Sequence, residues 1–143
     1  MSSSEQNSDH TVAQSIAFWY TGKRFGSDTL LVSNYRTMER AEYEVMAAVE
    51  DRHWWYGGMR AISAALLDEV YSQRTNLRIL DAGCGTGGNA RFLQRYGTVA
   101  AIDLAPTALE LGEVHLPGKL ARASVSDLPF ANGSFDVVTS FDV

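Results

Sequence analysis

"LRILDAGCGTGGNARFL", Leu77–Leu93, decides how this chain is read. An apolar run ends in an acid, Asp81, and glycines then stand at 83, 85, 87 and 88 before a helical pattern begins. A chain strips side chains from the end of a strand where something must come close to its backbone. The residues around this stretch say what kind of sheet the strand belongs to.

Downstream, "GGNARFLQRY" (87–96) reads as a helix stopped by Gly97, and "TVAAID" (98–103) as the next strand. "PTALELGEV" (106–114) opens with a proline, which suits a first helical turn. "KLARAS" (119–124) and "DVVTSF" (136–141) supply a third and a fourth strand, with "ANGSFD" as the turn before the last. Strand and helix in this rhythm predict an α/β, Rossmann-like parallel sheet with right-handed crossovers and helices on both faces, over residues 77–143. Asp136, beside that turn, reads as turn chemistry.

Upstream, residues 37–76 read as a helical lead-in. "TMERAEYEVMAAVEDRHWW" (37–55) spaces Met38, Ala41, Val45, Ala48 and Val49 as a helix does. After Gly57-Gly58 a second helix is expected, with Met59, Ile62, Leu66 and Val70 as its apolar face. Residues 1–36 are poorly patterned, and Met1 to His10 are expected to be disordered. "IAFWYTGKRF" (16–25) is either a short interaction segment or a leader before a later start such as Met38.

Composition narrows the classes. The net charge of −5 over 143 residues argues against a general nucleic-acid binder. No apolar run is long enough to span a bilayer, and the N-terminus lacks a signal-peptide pattern. The single cysteine, Cys84, allows no internal disulfide and fits the cytoplasm. It has no evident partner for metal or nucleophilic chemistry and reads as a small filler, so no metal is expected. The oligomeric state stays open.

Ligands of a doubly wound sheet bind at the carboxyl ends of its strands, which is where the glycine loop falls. Gly83, Gly85 and Gly87 let a ligand lie on bare backbone. Asp81 would repel a pyrophosphate and hold a ligand with a positive end. Asp103, twenty positions beyond Gly83, can accept from both hydroxyls of a ribose. The plainer alternative is that the glycines only mark a turn and Asp103 only caps a helix.

Taken together, "ILDAGCGTGGNARFL", "AIDLAPTALELG" and "ASVSDLPFANGSFDVVTSFDV" resemble the class I S-adenosylmethionine-dependent methyltransferases of the kind called type 11. "HWWYGGMR" (53–60) resembles, less specifically, the lead-in of some members. The resemblance implies S-adenosyl-L-methionine as cofactor and a small-molecule methyl acceptor, with no nucleic acid and no membrane. It places Asp81, Gly83, Gly85 and Gly87 around the methionine part, and Asp103 with Leu104 at the ribose. Asp127 and Leu128 would meet the adenine, and Phe141 would close the pocket. Tyr56 and Arg60 are candidates for cofactor or acceptor contact. His53, Trp54 and Trp55 could cover the cofactor or simply pack. No catalytic base is identified. The family's sheet is longer than the strands legible here, which implies that its C-terminal half is missing. The rivals are an NAD-dependent dehydrogenase, since "GCGTGG" also fits G-x-G-x-x-G, and a non-catalytic cofactor-binding fragment.

Overall fold

The computed structural model describes residues 38–71 and 74–142. The reading of residues 1–36 lies outside the described residues. In chain order the elements are helices α1 (Arg40–Val49) and α2 (Trp54–Tyr71), strand β1 (Leu77–Ala82) and helix α3 (Gly88–Leu93), which tightens into a 3-10 turn at Gln94–Tyr96. Strand β2 (Gly97–Asp103), helix α4 (Pro106–Gly112), and strands β3 (Leu120–Arg122) and β4 (Val137–Thr139) follow. The four strands form one parallel sheet in the order β3-β2-β1-β4.

β1 is the spine of this sheet. It pairs with β2 from Leu77↔Gly97 to Ala82↔Ile102, and with β4 from Ile79↔Val137 to Asp81↔Thr139. A strand covered on both faces needs apolar residues at nearly every position, and β1 is buried except at Arg78. Its pleat sends Leu77 and Ile79 to one face, where Ala90 and Leu93 of α3, Leu109 of α4, and Leu67 and Tyr71 of α2 meet them. Leu80 and Ala82 face the other way and pack with Ile102 and Ala121 beneath Phe130 and Phe135. Asp136 fixes the register of β4. Its carboxylate accepts from the Arg78 backbone N–H at 2.9 Å and from the Arg78 guanidinium at 3.2 Å, while its own N–H donates to the Arg78 carbonyl at 2.8 Å.

The lead-in departs from its sequence pattern in two ways. The chain breaks at Glu50–His53, not at the glycines, and Gly57 and Gly58 lie inside α2. The cause is Glu50, whose carboxyl turns toward the glycine loop and whose carbonyl accepts from Arg60. The expected apolar face is also turned outward: Ile62, Leu66 and Val70 are 64, 60 and 69% exposed. Tertiary contacts set the rotation instead. Leu67 and Tyr71 enter the core, and the Tyr96 hydroxyl donates to Asp68 Oδ1 at 2.8 Å. α1 likewise buries Tyr43 and packs Met46 beside it, leaving Val45 exposed. Arg40 ties α1 to α4 through Glu110.

A Cβ at Gly57 or Gly58 would meet nothing within 4 Å. Glycine inside a helix costs roughly 0.5–1 kcal/mol relative to alanine. Gly57→Ala and Gly58→Ala are therefore each expected to raise the melting temperature in a thermal scan. A fall in either variant would mean that the helix does not run through these positions. Among the described residues, no helix is long and apolar enough to cross a membrane.

Candidate cofactor-binding site

The loop between β1 and α3 is held by the end of β2. The N–H groups of Gly83 and Cys84 both donate to the Ile102 carbonyl, at 2.8 and 2.9 Å. The Gly85 N–H donates to Asp103 Oδ2 at 2.8 Å, and the Ala105 N–H to Asp103 Oδ1 at 2.8 Å. Asp103 thus shapes the loop and the entry to α4 with the same carboxylate. Gly83, Gly85 and Gly87 have φ of 82°, 53° and 87°, in the left-handed region that a side chain makes costly.

Above the loop lies a cavity of about 200 Å³. Its floor is Asp81, Gly83, Cys84, Gly85, Thr86 and Asn89. Asp103 stands at one side, and Phe141 with Asp142 at the other. Met38, Tyr43, Met46, Glu50 and Tyr56 bring the lead-in over it. Met46 reaches so far that its Cε would stand 3.1 Å from a Cβ on Gly85. The Trp55 indole N–H donates to Asp142 Oδ2 at 3.1 Å, linking the start of α2 to the end of β4.

Asp81 is 1% exposed. Thr139 Oγ1 donates to its Oδ1 at 2.8 Å, while its Oδ2 has no partner among the described residues. Burial pushes its pKa up from 3.8 to about 6, against the opposing hydrogen bond from Thr139. Burial also drives the Cys84 thiol far up, which keeps it protonated and poorly nucleophilic. Among the described residues, four carboxylates, Glu50, Asp81, Asp103 and Asp142, line the cavity, and no lysine, arginine or histidine does.

Of the residues singled out in the sequence, Asp81, Gly83, Gly85, Asp103, Tyr56 and Phe141 meet at this cavity. Gly87 faces α4 instead, where a Cβ would lie 3.5 Å from the Gly112 Cα. Leu104 is outside the lining, and its carbonyl accepts from Arg122 Nε at 2.9 Å. Asp127 and Leu128 lie in an exposed turn after β3, also outside the lining. Arg60 stands behind Glu50. Its Nη2 donates to the Glu50 carbonyl at 3.0 Å, and its Nη1 is buried without a partner.

The sequence reading missed Met38, Tyr43, Met46, Glu50, Thr86, Asn89 and Asp142. The spacing Tyr43, Met46, Glu50 does mark one helical face, but a polar residue among apolar ones gave it a weak signal.

Residues 80–143 match a family model described as a methyltransferase domain. The chain is 35% identical over 91 residues to a magnesium-protoporphyrin O-methyltransferase of Rhodobacter capsulatus, covering 59% of this chain and 40% of that protein. It resembles the structure of an S-adenosylmethionine-bound amino pentose methyltransferase from Micromonospora echinaspora, with a TM-score of 0.52 and 26% identity over 75% of this chain and 44% of that one. The PH0226 protein of Pyrococcus horikoshii shares the fold, with a TM-score of 0.57 and 19% identity over 71% of this chain and 50% of that one. The chain spans less than half the length of the curated relatives it matches. With the parallel order β3-β2-β1-β4 and an acid and three left-handed glycines at the end of β1, residues 80–143 match the methyltransferase-domain family, and the chain is similar there to S-adenosylmethionine-dependent methyltransferases.

Proposed function

We propose that this chain forms the cofactor-binding part of an S-adenosylmethionine-dependent methyltransferase that acts on a small molecule. One observation carries the reading: among the described residues, the cavity at the strand ends is lined by four carboxylates and no basic side chain. Such a cavity favours a ligand with positive charge and disfavours a pyrophosphate. The residues fit the cofactor. Asp81 Oδ2 and Glu50 Oε1 are buried acceptors without a hydrogen-bond partner among the described residues, and Gly85 leaves bare backbone beneath Met46.

In this reading Asp81 and the Gly83–Gly85 backbone hold the methionine end, and Asp103 with Leu104 the ribose. Asp127 and Leu128, on the turn after β3, would serve the adenine, and Phe141 would close the site. When bound, the cofactor supplies an electrophilic methyl group on a sulfonium. The chain's part is positioning and charge. Asp81 and Glu50 keep a negative field around the cation, while Met46, Tyr43 and Tyr56 shield it from water. No side chain is assigned as base for the acceptor's proton.

The acceptor class rests on the relatives, whose names specify a magnesium protoporphyrin and an amino pentose. The net charge and the anionic cavity speak against nucleic acid. The lone cysteine suits a cytoplasmic setting. Titration calorimetry of the chain against S-adenosylhomocysteine, S-adenosylmethionine and NAD tests the assignment. Binding of the first two without NAD is expected. NAD binding with no response to either sulfur ligand would restore the dehydrogenase rival.

A further inference from the structure

Glu50 ends α1 and is only 5% exposed, one of three buried polar side chains among the described residues, with Asp81 and Thr86. All three line the same cavity. Glu50 lies outside residues 80–143, in the lead-in, yet its carboxylate reaches the centre of the glycine loop. Thr86 Oγ1 donates to Glu50 Oε2 at 2.8 Å, 36 residues along the chain. The same carboxyl rests on Gly88, where a Cβ would stand 2.6 Å from it. Gly88 is small because Glu50 occupies that space. Among the described residues Glu50 Oε1 has no hydrogen-bond partner, and His115 Nε2 lies 3.6 Å from it. The Glu50 backbone is held as well: its carbonyl accepts from Arg60 Nη2, and the next residue, Asp51, pairs with Arg91 of α3.

A buried carboxylate is an unfavourable choice for simple packing. Tyr43 and Met46, on the same face of α1, show that apolar residues pack there. What the carboxylate adds is an acceptor for Thr86, which alone among residues 85–88 carries a polar side chain. A loop with three glycines in left-handed conformations loses much conformational freedom on ordering, so a site built on it needs anchors. Asp103 anchors it at the Gly85 N–H. The Ile102 carbonyl holds the Gly83 and Cys84 N–H groups, and Glu50 adds a side-chain anchor at Thr86.

We propose that Glu50 is a positioning residue of the cofactor site, whose carboxylate latches Thr86 and the Gly87–Gly88 turn so that the loop is ordered before ligand arrives. The assignment of a ligand rests on the function proposed above; the latch itself does not. The test uses the full chain as Glu50→Gln, Glu50→Ala, Thr86→Val and the Glu50→Ala/Thr86→Val double variant. Amide hydrogen exchange of residues 83–89 is followed without ligand, beside a thermal melt and a titration with S-adenosylhomocysteine. Glu50→Ala and Thr86→Val should each speed loop exchange and weaken binding by about tenfold, the scale of one lost buried hydrogen bond. The double variant should be no worse than either single one, since both break the same bond. Glu50→Gln keeps a carbonyl acceptor for Thr86, so its loop exchange should stay close to the parent's even where the lost charge weakens binding. Loop exchange unchanged in Thr86→Val, additive increases in loop exchange in the double variant, or loop exchange equally fast in Glu50→Gln and Glu50→Ala would each overturn the latch. A parent that binds no S-adenosylhomocysteine would sink the proposed function, while loop exchange would still decide the role of Glu50.

Discussion

Asp81→Asn is expected to stabilise the free chain and to abolish its affinity for the cofactor. The carboxylate is buried at the end of β1 with one oxygen bonded to Thr139 and the other unpartnered. Burial lifts its pKa from 3.8 to about 6, so the ionised form is disfavoured in the folded state. At about 1.4 kcal/mol per unit, ionised Asp81 costs the folded chain on the order of 2–3 kcal/mol at neutral pH. Asparagine keeps an acceptor for Thr139 and carries no charge to bury. The melting temperature at pH 7 should rise by several degrees. Affinity for S-adenosylmethionine should fall by about a hundredfold or more, since the buried charge opposite a cation is gone. A stabilised variant that still binds like the parent would remove Asp81 from the site.

The pH dependence has a definite sign. The folded pKa is raised, so the folded chain holds a proton that the unfolded chain releases between about pH 6 and 3.8. The cost of Asp81 is full above about pH 6, shrinks as pH falls through that value, and is gone below 3.8. The difference in melting temperature between Asp81→Asn and the parent should therefore narrow from pH 7 to pH 4. Asp136 works the opposite way. Its hydrogen bonds from Arg78 lower its pKa, so its contribution is present at neutral pH and lost only in strong acid. Comparing variant with parent cancels that common background. Under the proposed function the cofactor is held by ionised Asp81, so the parent's affinity is expected to weaken below about pH 6.

How much of this was legible in the sequence depends on how local each signal is. β1 and its loop announce themselves, because a buried run, an acid and alternating glycines all lie within a few residues. The parallel pairing follows from strand–helix alternation and the fixed hand of crossovers, while the place of β4 beside β1 is seen only in the fold. Asp81, Asp103, Gly83 and Gly85 could be named for the same reason: each ends a strand or sits in the loop between elements. The lead-in was misread because its rotation is not its own. Ile62, Leu66 and Val70 make the better stripe on paper, yet Leu67, Tyr71 and the Asp68–Tyr96 hydrogen bond turn α2 the other way. Glu50 was hidden for a related reason. Its partner lies 36 residues away, and no periodicity marks an acid that leaves its own helix to meet a threonine in a distant loop.

Asp103→Ala is the second variant with a large expected effect, and it separates two roles carried by one side chain. Asp103 accepts from the Gly85 N–H and the Ala105 N–H, each at 2.8 Å, before any ligand is considered. Alanine orphans both donors, at a cost of roughly 1–3 kcal/mol each where water cannot replace the acceptor. The chain should melt several degrees lower. A ribose held by the same carboxylate would lose its acceptor too, so affinity for S-adenosylhomocysteine should fall by about tenfold or more at a temperature where the variant is folded. Asp103→Asn keeps one acceptor oxygen and replaces the other with a donor. It should recover part of the stability, through whichever backbone bond its carbonyl takes up, but little of the affinity, because the amide cannot accept from two hydroxyls. Parallel melts and titrations on the two variants distinguish the roles. If affinity tracks stability through both substitutions, Asp103 acts only by shaping the loop. If Asp103→Asn regains stability without regaining affinity, its carboxylate contacts the ligand.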